Sequence, residues 1–259
     1  AAKAQRVFAD QHIDSEVRKG KFDGATTFTI LPELTPWVML KFQGHAEDIT
    51  IMAHELGHAI HSILAEHHTL YTQFASLPLA ETASTFGEMI LTDLLLERET
   101  DPDEIETILF RQLDDAFANI LHQVYLTIFE RIAHERIAKG ASVDELSELY
   151  LANLKEQFGE AVELSDEFKY EWICSPNIFS MPFYSYAYTF GQLLVLALYK
   201  RYKEEGESFK PKYMRILSAG GSVAPVKLLA EVGIDVTQAE FWQGGYDIIA
   251  GMVSRLESR

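Results

Sequence analysis

Two histidines four residues apart, with a glutamate directly after the first, give the strongest chemical signal in the chain. His54, Glu55 and His58 lie in the apolar stretch 51–64, which favours a helix. Residues four apart share one helix face, so the two histidines can offer ring nitrogens to one cation while Glu55 projects to the side. The competing interpretation is an ordinary charged surface helix, but unpaired charge is costly in an apolar stretch. The pattern therefore predicts a metal site.

The chemistry of such a site follows from the residue types. Two histidines, a carboxylate and an open position for water are the usual composition of a catalytic zinc site. Zinc lowers the pKa of its water towards neutrality, and Glu55 would take the proton as water attacks a carbonyl group.

A third protein ligand is required, and Glu81 is the best candidate. Residues 77–91 show apolar residues at helical spacing with a proline near the start, which predicts one helix with Glu81 in its first turn. Glu88 follows two turns later on the same face, either as a partner that fixes an imidazole tautomer or as a surface carboxylate. His61 is either a similar partner or a histidine satisfied near the core.

These motifs resemble the catalytic, C-terminal portion of the oligoendopeptidase F group of zinc peptidases, which are relatives of thimet oligopeptidase. The group's His-Glu-Leu-Gly-His-Ala-x-His-Ser pattern is matched by residues 53–62, and its Leu-Ala-Glu-x-Ala-Ser-Thr-Phe-x-Glu pattern by residues 79–88. Further matches are the Arg-Lys-Gly-Lys stretch at 18–21 and the segment before the histidine helix at 36–44. The tyrosine segment at 182–191 and the Ala-Gly-Gly-Ser motif at 219–222 also match.

The resemblance implies one zinc ion per chain on His54, His58 and Glu81, with Glu55 as the general base. It implies short peptides as substrates and an endopeptidase activity. Two other functions stay open: a metal-binding but inactive module, and an exopeptidase built on the same motif.

The tyrosine segment is expected to supply hydroxyl groups to the reaction. A tetrahedral intermediate needs hydrogen-bond donors aimed at its developing charge, and a phenol donates without carrying charge. Tyr186 is the favoured donor. Tyr184 and Tyr188 are four residues apart and would share a face of a helix. The alternative is an aromatic stripe that packs a core.

One position departs from the family pattern. Members of the group usually carry a histidine shortly before the tyrosines, and Asn177 takes its place here. An asparagine donates a hydrogen bond but never as a cation, so activity or its pH dependence could differ. We expect Asn177 and Gly44, the latter at the end of the segment before the histidine helix, to contact the substrate.

Composition agrees with a globular enzyme. The chain has 259 residues, 47% of them hydrophobic, and can bury a sizeable core. A net charge of −17 disfavours nucleic-acid binding because phosphates would be repelled. The charge serves solubility or favours cationic peptides. No apolar run is long enough for a membrane span, and no signal peptide is recognised. The single cysteine is consistent with a reducing cytoplasm.

The elements that must position these residues are mostly helical. Strands are predicted only at 26–31 and 37–42, which should pair as a small sheet beside the zinc helix. Long helical patterns follow at 102–139, from the capping box at 142–145 towards 159, at 184–206 and at 237–257. We expect a mainly α, helical zinc-peptidase fold over 1–259 as a single catalytic domain. Family members are longer, so association with an N-terminal helical part is also expected.

Overall fold

Helices dominate the fold, as the sequence predicts. The computed structural model describes residues 2–258. The first elements in chain order are α1 Ala2–Ala9, β1 Ile13–Asp14, β2 Thr26–Phe28, β3 Trp37–Met39, α2 Ala46–Leu64, α3 Leu77–Ala80, α4 Ser84–Arg98 and α5 Pro102–Ala116. They are followed by a π-helical segment Phe117–His122, α6 Gln123–Ile137, α7 Val143–Phe158, a 3-10 segment Asp166–Cys174 and α8 Pro176–Ser180. The last are α9 Tyr186–Glu205, a 3-10 turn Gly206–Ser208, α10 Lys210–Ser218, α11 Pro225–Glu231 and α12 Ala239–Glu257.

The chain divides into two compact units. One runs up to Arg111 and resumes at Gly191, and the other is Gln112–Phe190. The single catalytic domain stays a prediction. Within residues 2–258, no helix is both long and apolar enough to cross a membrane.

A three-stranded sheet lies in the first unit, in the order β1-β3-β2. β2 and β3 pair antiparallel with Thr27 opposite Val38, so the two predicted strands and their pairing are confirmed, although they end at Phe28 and Met39. β1 pairs parallel to β3 and was not predicted, because a two-residue strand carries no periodic signal.

The buried ammonium of Lys21 holds β1 to the end of β3. Only 1% of the Lys21 side chain is exposed. Its Nζ lies 2.8 Å from the carbonyl oxygen of Asp14, which is in β1, and 2.7 Å from that of Leu40, which directly follows β3. Arg18 adds two hydrogen bonds of 2.6 Å to the Asp14 carboxylate. The Arg-Lys-Gly-Lys stretch therefore has a structural role, because its Arg18 and Lys21 make the contacts that hold β1 in place.

Close packing of α2 on α4 requires glycine at position 57. A Cβ atom there would lie 2.5 Å from both the Ala83 carbonyl oxygen and the Ser84 Cα. The opposite side of α2 buries Ala59 and Ile63 against Val7 and Val38. The histidine helix is thus fixed between the sheet and α4.

Two predicted helices are interrupted. The helix expected over 77–91 is wrong as a single element, because α3 ends at Ala80 and α4 begins at Ser84. Glu81 therefore lies in a turn, and the Ser84 hydroxyl lies 3.0 Å from the Glu81 carbonyl oxygen. The pattern over 102–139 is a helical run whose middle, Phe117–His122, has π geometry.

The second unit has its own core. Phe129, Tyr150 and Trp172 are buried together, with leucines from α6 and α7 around them. The capping box is confirmed: the Glu145 amide donates to the Ser142 hydroxyl, and the Glu145 carboxylate accepts from the Ser142 amide.

Candidate metal centre

Three potential ligand atoms converge at the middle of α2. His54 Nε2 and His58 Nε2 are 3.1 Å apart, and Glu81 Oε2 lies 3.3 Å and 3.2 Å from them. Ligands of a tetrahedral zinc ion with bonds of about 2.0–2.1 Å sit about 3.3 Å apart. The three side chains therefore have the spacing that one such ion requires, and their role as its ligands stays a prediction. Among the His, Cys, Asp and Glu side chains of residues 2–258, these three form a group that could hold a metal ion.

Glu88 orients the first of these histidines. Its carboxylate accepts a hydrogen bond from His54 Nδ1. A proton held on Nδ1 leaves the lone pair on Nε2, the atom that faces His58 and Glu81. Although burial lowers it, the pKa of His54 is raised, because Glu88 and then Glu81 stabilise the cation.

The turn at Glu81 is held from two sides. The Ser84 hydroxyl lies 2.6 Å from Glu81 Oε2, and the Tyr213 hydroxyl donates to the Thr82 carbonyl oxygen at 2.8 Å. Burial raises the pKa of Glu81, but the hydrogen bonds of His58 and Ser84 and the charges of His58 and His54 together lower it to about 2. A carboxylate that stays ionised in this setting is suited to hold a cation.

His61 is buried one turn after His58 and stays neutral. Burial lowers the pKa of His61 to about 4, and a hydrogen bond to the Ala80 backbone opposes that shift. The contact links α2 to the residue before Glu81, so His61 is a buried histidine with a backbone partner, and its role as a partner of the ligands stays a prediction.

Glu55 stands outside the ligand group. Only 5% of its surface is exposed, and its Oε2 accepts a hydrogen bond of 2.7 Å from the Thr27 hydroxyl of β2. It lies beside the candidate ligands without joining them, and its role as the base stays a prediction.

A cleft of about 520 Å³ opens over these residues. Residues 25–29, which comprise β2 and the residue on each side of it, form one wall, and residues 73–75 form another. His54, Glu55, His58 and Glu81 all line it.

A known protein family matches nearly the whole chain. The model of "Peptidase family M3" matches residues 2–248. The chain belongs to peptidase family M3.

The individual relatives that match this chain include oligoendopeptidases, in agreement with the family match. An oligoendopeptidase F homolog of Borreliella burgdorferi is 33% identical over 207 residues, which cover 78% of this chain and 35% of the relative. A plasmid-borne oligoendopeptidase F of Lactococcus lactis subsp. cremoris is 28% identical, over 98% of this chain and 43% of its own length. The chain therefore spans less than half the length of these curated relatives.

Solved structures give the same fold. The crystal structure of oligoendopeptidase-F from Enterococcus faecium is 29% identical, with a TM-score of 0.71, over 82% of this chain and 39% of that one. A structure from Chlamydophila abortus is 28% identical, with a TM-score of 0.88, over 99% and 44% of the two chains. The helical family M3 fold with its small sheet is thus confirmed.

The segment before the histidine helix α2 ends in a tight turn. Gly44 has a φ of +91°, a conformation that favours glycine. Asp48 Oδ2 accepts hydrogen bonds from the Gln43 and Gly44 amides at 2.7 and 2.8 Å. This turn starts α2. Gly44 is not among the residues that line the cleft, and its contact with substrate stays a prediction.

The tyrosine segment lies at the end of the second unit. Tyr184 precedes α9, so it does not share a helix face with Tyr188, although the ring of Tyr184 packs against that of Tyr188 at 5.2 Å. Tyr186 is 47% exposed, so it is not packed in a core. Asn177 is half-buried at the start of the short helix α8. The roles of these four residues stay predictions.

Sequence reasoning missed several cleft residues. Thr27, Gln73 and Phe74 line the space beside the ligands. None of them belongs to a spacing pattern that carries chemistry. The only available signal was that the predicted strand at 26–31 should lie beside the zinc helix, which places its threonines near Glu55 without saying which one makes contact.

Proposed function

We propose that this chain is the catalytic part of a zinc-dependent endopeptidase that hydrolyses peptide bonds in short peptides. The observation that carries the proposal is the convergence of His54 Nε2, His58 Nε2 and Glu81 Oε2 to within 3.3 Å of one another, with Glu55 beside them. Zinc is the ion that this donor set favours, at one ion per chain. When bound, it would supply Lewis acidity that polarises a peptide carbonyl and makes water a stronger acid.

The side chains divide the remaining work. Glu55 takes a proton from the attacking water and passes it to the departing amine. Tyr186, with Tyr184 and Tyr188 as alternatives, donates a hydrogen bond to the developing oxyanion. Glu88 and His61 hold the ligands in place.

The sheet supports binding of an extended peptide. β2 is at one edge of the sheet, and its three residues line the cleft. A substrate backbone that adds to this edge as a further strand would gain main-chain hydrogen bonds without regard to sequence. This mode suits short peptides of varied composition.

The assignment extends to the whole protein. We propose that both units belong to one catalytic domain, and that the domain associates with the further part found in the longer relatives. The cysteine count and the exposed free thiol of Cys174 favour a reducing compartment, the cytoplasm. Asn177 and Gly44 are proposed as substrate contacts.

The test uses zinc-loaded protein and a panel of internally quenched peptides, with products identified by mass spectrometry. We expect internal cleavage by the wild type, and a loss of several orders of magnitude in Glu55→Gln at unchanged zinc content. His58→Ala should lose tightly bound zinc.

Other outcomes separate the alternatives. Products shortened only from one end would indicate an exopeptidase. Zinc-loaded protein that cleaves no peptide would indicate an inactive metal-binding module, which the asparagine at position 177 favours. Activity of Glu55→Gln within about tenfold of the wild type would exclude Glu55 as the base.

A further inference from the structure

The hydroxyl group of Thr27 lies against the carboxylate of Glu55. Thr27 Oγ1 is 2.7 Å from Glu55 Oε2 and 2.8 Å from the Glu55 carbonyl oxygen. A hydroxyl has one proton to donate, and a carboxylate oxygen is a stronger acceptor than a carbonyl oxygen, because hydrogen bonds to charged groups are about twice as strong as neutral ones. The contact therefore restrains the Glu55 side chain itself.

The position of Thr27 is fixed independently of Glu55. Thr27 is the middle residue of β2 and pairs with Val38, which is fully buried in β3. The sheet thus holds the donor, and α2 holds the acceptor. A glutamate side chain without such a partner could rotate among several rotamers, and each would point its oxygens differently.

We propose that Thr27 is a positioning residue for Glu55. Its hydrogen bond anchors Oε2 and leaves Oε1 to accept the proton, so that an O–H bond forms at Oε1 as the O–H bond of the attacking water breaks. The proton then moves from Oε1 to the nitrogen of the departing amine. This inference rests on the proposed function, because it takes Glu55 to be the base.

A neighbouring threonine supplies a matched control. Thr29 follows β2 and donates to the Ser62 hydroxyl of α2, also at 2.7 Å. The two contacts join the same strand region to the same helix with hydrogen bonds of equal length. Only the contact of Thr27 reaches Glu55, so Thr29→Val reports what the loss of one strand-to-helix hydrogen bond does by itself.

The experiment compares Thr27→Val, Thr27→Ser and Thr29→Val as zinc-loaded proteins. Valine keeps the shape and the β-branching of threonine but has no hydroxyl, whereas serine keeps the hydroxyl. We expect Thr27→Val to lower kcat by about ten- to a hundredfold, as for the loss of a hydrogen bond to a charged group, with KM and zinc content within about twofold. Thr27→Ser should recover kcat to within about threefold of the wild type.

A structural measurement accompanies the kinetics. In crystals of metal-free Thr27→Val, the Glu55 carboxylate should leave the position it holds in the wild type. An unmoved carboxylate would overturn the inference, as would a Thr27→Val enzyme with wild-type kcat. A fall in kcat of the same size in Thr29→Val would mean that strand docking, not orientation of Glu55, controls turnover.

The failure of this inference is distinguishable from failure of the proposed function. An active Glu55→Gln enzyme would remove Glu55 as the base whatever Thr27 does. If Glu55→Gln is inactive and Thr27→Val is unaffected, the proposed function is retained and only the role of Thr27 is excluded.

Discussion

The carboxylate of Glu88 accepts a hydrogen bond from His54 Nδ1, and this contact joins α4 to the metal-site face of α2. The two residues are 34 positions apart in sequence. Because the bond fixes the proton on Nδ1, it directs Nε2 of His54 towards Glu81 and His58. The packing of two helices thereby determines the orientation of an imidazole ring.

The first prediction compares the two glutamates. Glu81→Gln should weaken zinc binding strongly, because a neutral amide replaces the negative ligand. Glu88→Gln should weaken it by only about tenfold, because the amide oxygen still accepts the proton of His54 Nδ1. Competition with a chromophoric chelator measures both affinities. Equal losses would show that Glu81 is not the third ligand.

The second prediction concerns the tyrosines. Tyr186→Phe should lower kcat about a hundredfold, as expected for the loss of one transition-state donor, with zinc content and the midpoint of thermal unfolding unchanged. Steady-state kinetics on a quenched peptide provides the measurement. Should Tyr184→Phe or Tyr188→Phe carry the effect instead, the role is correct and the residue is not. A loss of stability alone would indicate packing.

The third prediction concerns Asn177. Replacing it by histidine should add a donor that can become cationic, and charge-assisted hydrogen bonds are the stronger ones. Asn177→His should raise kcat and add an ionisation to the pH profile of kcat between about pH 6 and 8. A folded, zinc-loaded variant with the wild-type rate and profile would place Asn177 outside the active site.

The fourth prediction tests the packing of α2 on α4. Gly57→Ala should lower the free energy of unfolding by about 1–3 kcal/mol, because the new Cβ meets backbone atoms of Ala83 and Ser84 that must shift. It should also weaken zinc binding, since that backbone carries Glu81. Denaturant unfolding and chelator competition measure the two effects.

A second glycine in a helix provides the control for that substitution. Gly251 lies in α12, and nothing lies within 4 Å of the position of its Cβ. Gly251→Ala should raise stability by up to about 1 kcal/mol, the difference in helix propensity. A destabilisation of the same size in both variants would contradict steric crowding at Gly57.

The local features of the site could be predicted from the sequence. His54, Glu55 and His58 are close in the chain, and helical periodicity alone decides which of them share a face. The apolar pattern likewise indicated the helix that carries them, and the β-rich stretches indicated two strands beside it. The acidic composition and the capping box at Ser142 needed no tertiary information either.

What only the tertiary structure decided depends on contacts between distant residues. Glu55 and Thr27 are 28 positions apart, and no spacing rule joins a strand threonine to a helix glutamate. The break between α3 and α4 turns Glu81 towards the two histidines, although local periodicity favours an unbroken helix there. The close approach of α2 to Ala83 and Ser84 requires glycine at position 57, and it is likewise a contact between residues distant in sequence. Sequence patterns report the conformation of a segment, and only the packing of segments places side chains from different segments within bonding distance.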